Sequence, residues 1–452
     1  MAATDSEHYS FQKPVKRIAI VGAGPTGLIV GKNLSQEDAF EVNIFERNDS
    51  IGGIWNYSVD KGPAIQYPQL SAGSYDTHCG PIPSPMYQSL RTNLFHDVME
   101  VHGHKFPDHT DTYPQHGDVL RYLQTYAKKF DLMRLISFNT TVISAKWDSE
   151  EAQWSVELAT KQDNQIETRI EIFDAFIVCN GHHSVPHVPE IPGLQESVAQ
   201  YPQLFKHSSE YRDAEEFREQ SVFLIGSQAS GVDIAHDLAK YPDIQVNLAI
   251  RNMPGRPVRD YKSFNPKITR HPEITSFDSK TREIHFIDGT SVPFPDHIIF
   301  STGYFYSYPF FRNNTHEALN EVDVTDGFHV KSLYKHLFYA PNPTLCFVAL
   351  QNIASPFVMA DYQGKVMAKV FSGKAILPNE SDMLTSYLKD IEGKPGPIYH
   401  IAGLGQIDYL DELSNWVDNA IPVPTEQWRQ RLIEINDIVL ERLGFKTPLA
   451  FN

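Results

Sequence analysis

Apolar residues fall along the chain as short buried strands closed by glycine-rich or polar turns, with longer stretches of helical period between them. The run Ile18-Ala19-Ile20-Val21 is continuously apolar, as in a strand covered on both faces of a parallel sheet, and Gly22-Ala23-Gly24-Pro25-Thr26-Gly27 follows it directly. A helix over 26–34 and a second strand over 41–45 complete the opening of a βαβ unit. Residues 117–130 place Val119, Leu120, Leu123, Tyr126, Ala127 and Phe130 at helical spacing. Alternation then predicts amphipathic strands over 140–146, 154–158 and 169–172. A buried strand over 175–179 runs into Asn180-Gly181-His182-His183.

The opening device recurs 204 residues on, from Gly22 to Gly226. Val222-Phe-Leu-Ile225 precedes Gly226-Ser227-Gln228-Ala229-Ser230-Gly231, and Val246-Asn-Leu-Ala-Ile250 supplies the next strand. Between the copies, Pro186, Pro189 and Pro192-Gly193 form a stiff, extended connection that marks a domain boundary. The second unit is predicted to close near Asp296-His-Ile-Ile-Phe300-Ser-Thr-Gly303-Tyr304, another buried strand ending on a glycine. Residues 58–85, rich in Pro, Gly, Ser and Tyr, read as a loop long enough to point to function. An amphipathic helix near 425–443 places Trp428, Leu432, Ile435 and Val439 on one face, as a docked core helix does.

The three glycines of Gly22-x-Gly24-x-x-Gly27 serve different ends. The first allows the tight turn, the second lets backbone approach a pyrophosphate, and the third lets helix pack on strand. The helix N-terminus then faces the phosphates with its partial positive charge. The two copies differ in the residue that ends the following strand. Glu46 can accept from a ribose hydroxyl, whereas Arg251, with Arg256 and Arg259 close behind, can pair with a 2′-phosphate and favours NADPH over NADH. One chain is therefore expected to hold two different dinucleotides. Gly52-Gly53-Ile54-Trp55 adds exposed backbone and a flat wall suited to the nucleotide portion of a flavin. The second turn departs from the pattern at Gln228, where the middle glycine is expected. Ser227 and Ser230 can offset this by donating to phosphate oxygens.

A length of 452 residues exceeds a single average core, so two or three domains are expected. The formal charge of −17 opposes nucleic-acid binding, which needs basic patches. Cys79, Cys179 and Cys346 are widely separated and odd in number, and without a C-x-x-C they read as reduced thiols. The start of the chain lacks an apolar signal region, and no stretch approaches the eighteen consecutive apolar residues of a membrane span. A cytoplasmic protein is expected. His102, His104 and His109 lack carboxylates at ligand spacing, so no metal is expected, and no G-x-S-x-G elbow is present. His182-His183 reads as shaping the end of a strand.

In order and spacing, the motifs resemble the flavin-containing monooxygenases, especially their shorter soluble microbial and fungal members. The set comprises the first turn with Glu46, Gly52-Gly-Ile-Trp55, Met86-Tyr87-x-Ser-Leu-x-Thr-Asn93, Phe106-Pro107, Cys179-Asn-Gly-His-His-Ser-Val-Pro186, Ser-Gln-Ala-Ser-Gly231-Val-Asp233, and Phe300-Ser-Thr-Gly-Tyr304 with Tyr308-Pro-Phe310. The family's linker signature appears as Tyr201-Pro-Gln203-Leu-Phe-Lys-His207-Ser-Ser-Glu-Tyr211, with Tyr for Phe, Gln for Gly, and His207 and Tyr211 kept. The related Baeyer–Villiger enzymes carry tryptophan where Tyr211 stands.

The resemblance implies an α/β fold with two Rossmann-like dinucleotide-binding domains, the NADP domain inserted into a discontinuous FAD domain. Residues 1–185 and 298–452 would bind FAD, and residues 186–297 would bind NADP(H). It further implies that NADPH reduces FAD, that O2 adds to the reduced ring as a C4a-hydroperoxyflavin, and that the distal oxygen passes to nitrogen or sulfur of a small molecule. Asn93 is carried over as the catalytic amide that holds both ligands, since it donates and accepts without charge. The implied cofactor residues are Gly22, Gly24, Pro25, Thr26, Gly27, Glu46, Arg47, Gly53, Trp55, Tyr87, Thr92, Val142 and Gln351. The second copy adds Gly226, Ser227, Gln228, Ala229, Ser230, Gly231 and Arg251. Baeyer–Villiger oxidation of ketones and a non-catalytic NADP-binding flavoprotein sensor stay open as alternatives. A homodimer is compatible with the resemblance, although no pattern along the chain marks its face.

Overall fold

The computed structural model describes residues 7–72, 83–163, 165–251, 265–312, 321–394, 396–418 and 420–442. Cys79, Arg256, Arg259 and part of the loop expected over 58–85 lie outside the described residues, as does the side chain of Val439. Two parallel sheets carry the chain. The first has seven strands in the order Leu333–Tyr334, Phe338–Tyr339, Leu345–Phe347, Ala175–Val178, β1 (Arg17–Val21), β2 (Glu41–Phe45), Ile136–Ser137. Its middle is parallel, and its Leu333–Tyr334 edge is closed by an antiparallel hairpin. The second has five parallel strands in the order Ile268–His271, Gln245–Ala249, Ser221–Ile225, His297–Phe300, Phe205–His207.

Both sheets solve one problem in the same way. The strand that ends in a glycine turn lies between the strand that follows its helix and a strand from much later in the chain, which places the turn where strand order reverses. Ile18, Ile20, Val222 and Leu224 on these central strands are fully buried, as their continuous apolar runs predict. The second sheet is built wholly from residues between segments of the first.

The strand expected within Asp296–Tyr304 lies on the residue-297 boundary. His297–Phe300 pairs in parallel with Ser221–Ile225 and Phe205–His207, so the second sheet continues through Phe300. The predicted helices appear as α1 (Pro25–Ser35), His116–Lys129 and Glu426–Arg442. The three amphipathic strands form an antiparallel meander of Thr140–Asp148, Gln153–Gln162 and Gln165–Phe173. They exceed the predicted lengths because backbone pairing continues past the apolar alternation, as far as Gln162 opposite Gln165. Among the described residues no helix is long and apolar enough to cross a membrane.

Helix α1 is pressed between the first sheet and the helix Pro356–Phe371. A Cβ on Gly364 would stand 2.9 Å from Asn33 Nδ2 and 3.3 Å from Val30 Cα, so the two helices approach at van der Waals distance. Their contact is fixed by Asp361, only 1% exposed, whose Oδ1 accepts from Asn33 at 2.9 Å. His102, which has no carboxylate at ligand spacing along the sequence, supplies Nδ1 to Asp361 Oδ2 at 2.6 Å across 259 residues. Burial pushes the Asp361 carboxyl up, but hydrogen bonds from His102 and Asn33 and the charges of Lys365 and Lys32 outweigh it and bring it down to about 2.

A depressed carboxylate contributes stability that is present above its unfolded pKa and is lost as pH falls through the folded one. The expected loss between about pH 4 and pH 2 is about 2 kcal/mol. Urea unfolding across that range should show this limb in the wild type, and the Asp361→Asn curve should lack it. Parallel curves would remove Asp361 from the acid response.

Candidate active site

The two glycine turns match closely at their outer positions. Gly22 has φ +100° and Gly226 φ +103°, conformations that favour glycine. A Cβ on Gly22 would lie 2.6 Å from Cys179 O, and one on Gly226 would lie 2.4 Å from Ser301 O. A Cβ on Gly27 would meet Gly22 O at 1.8 Å, and one on Gly231 would meet Gly226 O at the same distance. The outer glycines of both turns are thus required by the chain's own backbone.

The middle position differs. Gly24 has φ −70° and ψ −176°, and its counterpart Gln228 has φ −88° and ψ −167°. Neither conformation requires glycine. A Cβ on Gly24 would find nothing closer than Gly53 Cα at 3.6 Å, so no internal contact explains the missing side chain. What remains is room for a ligand over a helix N-terminus that no side chain caps, with Pro25 at its first position. The first turn is enclosed, whereas Gln228, Ala229 and Ser230 are exposed and Ser227 is buried. The Gln228 side chain therefore stands on the open side of its turn.

Glu46 lies beneath the first turn, 5% exposed. Its Oε2 accepts from Ala23 N at 2.7 Å and its Oε1 from Asn48 N at 2.9 Å. Burial pushes this carboxyl up, while those two N–H groups and the neighbouring Arg47 charge oppose the rise. Gly52 N donates to Ala23 O at 3.0 Å, which brings the Gly53–Trp55 turn against the cradle, and the Trp55 ring meets Phe357 edge-on at 6.3 Å. Thr92 donates to Leu94 O through its hydroxyl and to Pro114 O through its N–H. Asn93 beside it is exposed, and its amide forms no hydrogen bond within the described chain.

Gln351 follows the buried strand Leu345–Phe347, and only 6% of it is exposed. No well-formed hydrogen bond holds either polar atom of its side chain, although the amide reaches towards the Tyr409 hydroxyl. A buried amide in that state costs about 1–3 kcal/mol, which is the condition of a group placed for a ligand. These features fit a flavin dinucleotide: a cradle with a spare Cβ volume, a buried acid below it and a buried amide with hydrogen-bonding capacity to spare.

Two expected cofactor residues are committed elsewhere through their side chains. Tyr87 is 5% exposed and its hydroxyl donates to Asp233 on the helix Ala229–Leu238, because Tyr87 sits in the apolar cluster of the second unit. Val142 packs among Val21, Phe45 and Leu158 in the core under the antiparallel meander, which leaves only its backbone to offer.

Arg251 is exposed just past the strand Gln245–Ala249 and lies close enough to His187 to lower that ring's pKa, after burial, the larger cause. In the linker, Gln203 lies in a short 3-10 helix, exposed and without positive φ, so glycine is not needed there. His207 is fully buried on the edge strand of the second sheet, and burial lowers it to about 3, so it is neutral at physiological pH. His182 and His183 lie in the bend between the strands Ala175–Val178 and Val185–Pro186, their rings 4.4 Å apart and their pKa values lowered by burial, His183 to about 4. Around His182 the fold gathers Tyr306, Asn352 and His400, which sequence reasoning did not single out. Asn352 Nδ2 donates to Tyr306 Oη at 3.1 Å, and the His182 and His400 rings lie 5.0 and 5.4 Å from that of Tyr306.

Known proteins share this arrangement. The family model "Flavin-binding monooxygenase-like" matches residues 15–254 and 264–425. The flavin-containing monooxygenase FMO GS-OX5 of Arabidopsis thaliana is 33% identical over 93% of this chain and 87% of its own. A flavin-containing monooxygenase of Aspergillus flavus is 28% identical over 89% and 92%. The structure of S-allyl-L-cysteine S-oxygenase from Allium sativum superposes with a TM-score of 0.78 at 32% identity, covering 94% of this chain and 93% of that one. The chain belongs to the flavin-binding monooxygenase-like family, whose members are FAD- and NADPH-dependent oxidoreductases.

Proposed function

We propose that this chain oxygenates sulfur or nitrogen in small soft nucleophiles, with thioethers as the favoured class. The Gly22–Gly27 turn with Glu46 holds FAD, and the Gly226–Gly231 turn with Arg251 holds NADP(H). On this reading both units are Rossmann-like, and the NADP unit is inserted into a discontinuous FAD unit. The observation that carries it is the middle position of the first turn: a glycine that backbone geometry and packing leave unexplained and a pyrophosphate explains. The likeness to an S-oxygenase supports sulfur.

Bound FAD supplies the redox chemistry, taking a hydride from NADPH and activating O2 so that one oxygen atom is transferred. The chain's residues position and shield. Glu46 accepts from the ribose while Ala23 and Asn48 hold its carboxylate in place. Gln351 would offer its buried amide to the flavin, and Asn93 would offer a neutral donor and acceptor to both cofactors. The neutral histidines and high-pKa Tyr306 nearby bring no ready acid into the site. The departures at Gln228 and Gln203 cost no backbone strain, which favours a working enzyme over a sensor.

Incubation with FAD, NADPH and O2 against thioethers, amines and cyclic ketones tests the reading. Sulfoxide or N-oxide formation matched to NADPH consumption is expected. Lactones as the main product, or hydrogen peroxide alone across the panel, would overturn it. Arg251→Ala should raise the KM for NADPH about tenfold, the loss of about 1.4 kcal/mol of phosphate pairing, while leaving NADH nearly unchanged. Equal effects on both coenzymes would refute the 2′-phosphate assignment.

A further inference from the structure

One buried acid joins three separate stretches of the chain. Asp237, on the helix Ala229–Leu238 behind the second glycine turn, is 6% exposed. Its Oδ2 accepts from Ser89 Oγ at 2.6 Å and from the Tyr211 hydroxyl at 2.7 Å, and its Oδ1 accepts from Lys240 Nζ at 2.8 Å. Ser89 lies four residues before Asn93, and Tyr211 ends the linker. The neighbouring contacts run the same way. Tyr87 donates to Asp233, its ring meets Tyr211 edge-on at 5.2 Å, and Gln88 N donates to Arg212 O at 2.9 Å.

Residues 87–93 therefore form a bridge. At one end Tyr87 and Leu90 pack into the apolar cluster of the second unit, with Val232 and Leu238. At the other end, Thr92 N is bonded to Pro114 O, and His116, two residues on, packs its ring on Tyr57, 5.3 Å away and two residues past the Gly53–Trp55 turn. Asn93 stands at the crossing. A carboxylate in an apolar cluster loses hydration that only well-made hydrogen bonds offset, and an apolar residue of that size often serves stability equally well. What a carboxylate adds is direction: two hydroxyls from different stretches converge on one oxygen.

We infer that Asp237 is a positioning residue for the reaction, holding the Asn93 segment and the linker in fixed register with the helix that carries the second turn. This rests on the reading of the two turns as FAD and NADP(H) cradles. Hydride transfer between two cofactors depends on their relative placement, and a misplacement of about 1 Å can cost about a hundredfold in rate.

Anaerobic stopped-flow reduction of the FAD-loaded enzyme by NADPH tests the inference, read with FAD content and thermal midpoint. Ser89→Ala/Tyr211→Phe removes both hydroxyls without touching the acid. It should slow reduction at saturating NADPH about tenfold or more, with the NADPH Kd within about threefold and FAD retained. Asp237→Leu should do the same, and Asp237→Asn, which can keep one carbonyl oxygen towards both hydroxyls, should restore the rate to within about threefold of wild type.

An unchanged rate in the double variant overturns the inference. So does an Asn variant as slow as the Leu variant with a matching fall in FAD content and midpoint, which would leave Asp237 a purely structural role. Failure of Asp237→Leu to fold leaves the decision to the double variant and Asp237→Asn. A wild-type enzyme that NADPH does not reduce refutes the reading of the cradles, and the inference falls with it.

Discussion

Gly24→Ala is expected to yield a folded protein that does not retain FAD, whereas Gly27→Ala is expected not to fold. The two glycines are three residues apart, and the contrast comes from what a Cβ would meet. At Gly27 it would stand 1.8 Å from Gly22 O, an oxygen that cannot retreat because Gly22 N is bonded to Phe45 O at 2.8 Å. Relief would require lifting α1 off the sheet, with Leu28, Ile29 and Val30 leaving a fully buried core. Each such side chain contributes about 1.5–3 kcal/mol, and the sum, about 4.5–9 kcal/mol, is comparable to the whole margin of about 5–15 kcal/mol that holds an ordinary domain folded. At Gly24 the new methyl would make only ordinary contacts, and φ −70° suits alanine, so apo stability should change by less than about 1 kcal/mol. The methyl would instead occupy the space assigned to the pyrophosphate, and FAD affinity should fall at least about a hundredfold, near 2.7 kcal/mol. Thermal unfolding of the apoprotein and fluorescence titration with FAD measure the two effects separately. Normal FAD binding by Gly24→Ala would dismiss the second glycine as the point of approach.

The same contrast shows what could be read from sequence. Strands such as β1 were legible because a doubly covered strand must be apolar at every position, and the outer glycines because Gly22 and Gly226 take a positive φ that favours glycine while a Cβ on Gly27 or Gly231 would strike backbone. The hairpin of Leu333–Tyr334 and Phe338–Tyr339 was not, since two-residue strands carry no period. The pairing of His297–Phe300 with Ser221–Ile225 was not legible either, because it is a non-local choice made across more than seventy residues. Side-chain roles were harder still. Tyr87 stood in a recognisable motif, yet its hydroxyl is directed to Asp233, 146 residues away. Asp237 carried no local signal, since its partner Ser89 lies 148 residues from it. Glycine turns announce themselves through backbone conformation, whereas a buried carboxylate is known only by its partners.

Asn93→Ala is expected to lower oxygenated product at least about a hundredfold while FAD stays bound and NADPH still reduces it. The structure makes the fold indifferent to this side chain: Asn93 is exposed, and its amide holds nothing within the described chain. Truncation therefore should leave the thermal midpoint and flavin content unchanged, and any catalytic loss reports on the reaction. The amide's proposed value lies in donating and accepting at one place without charge, on a bridge whose far end is fixed by Ser89 on Asp237. With the amide gone, NADPH consumption should continue and hydrogen peroxide should replace product, because water and protons are then less well excluded. Asn93→Asp sharpens the case. It keeps the size and an acceptor but loses the NH2 donors and adds a charge, so it should fail as badly as alanine. Product and peroxide measured against NADPH consumed in all three proteins decide the matter. Normal coupling in Asn93→Ala would remove Asn93 from the mechanism, and normal coupling in Asn93→Asp would show that its donors are dispensable.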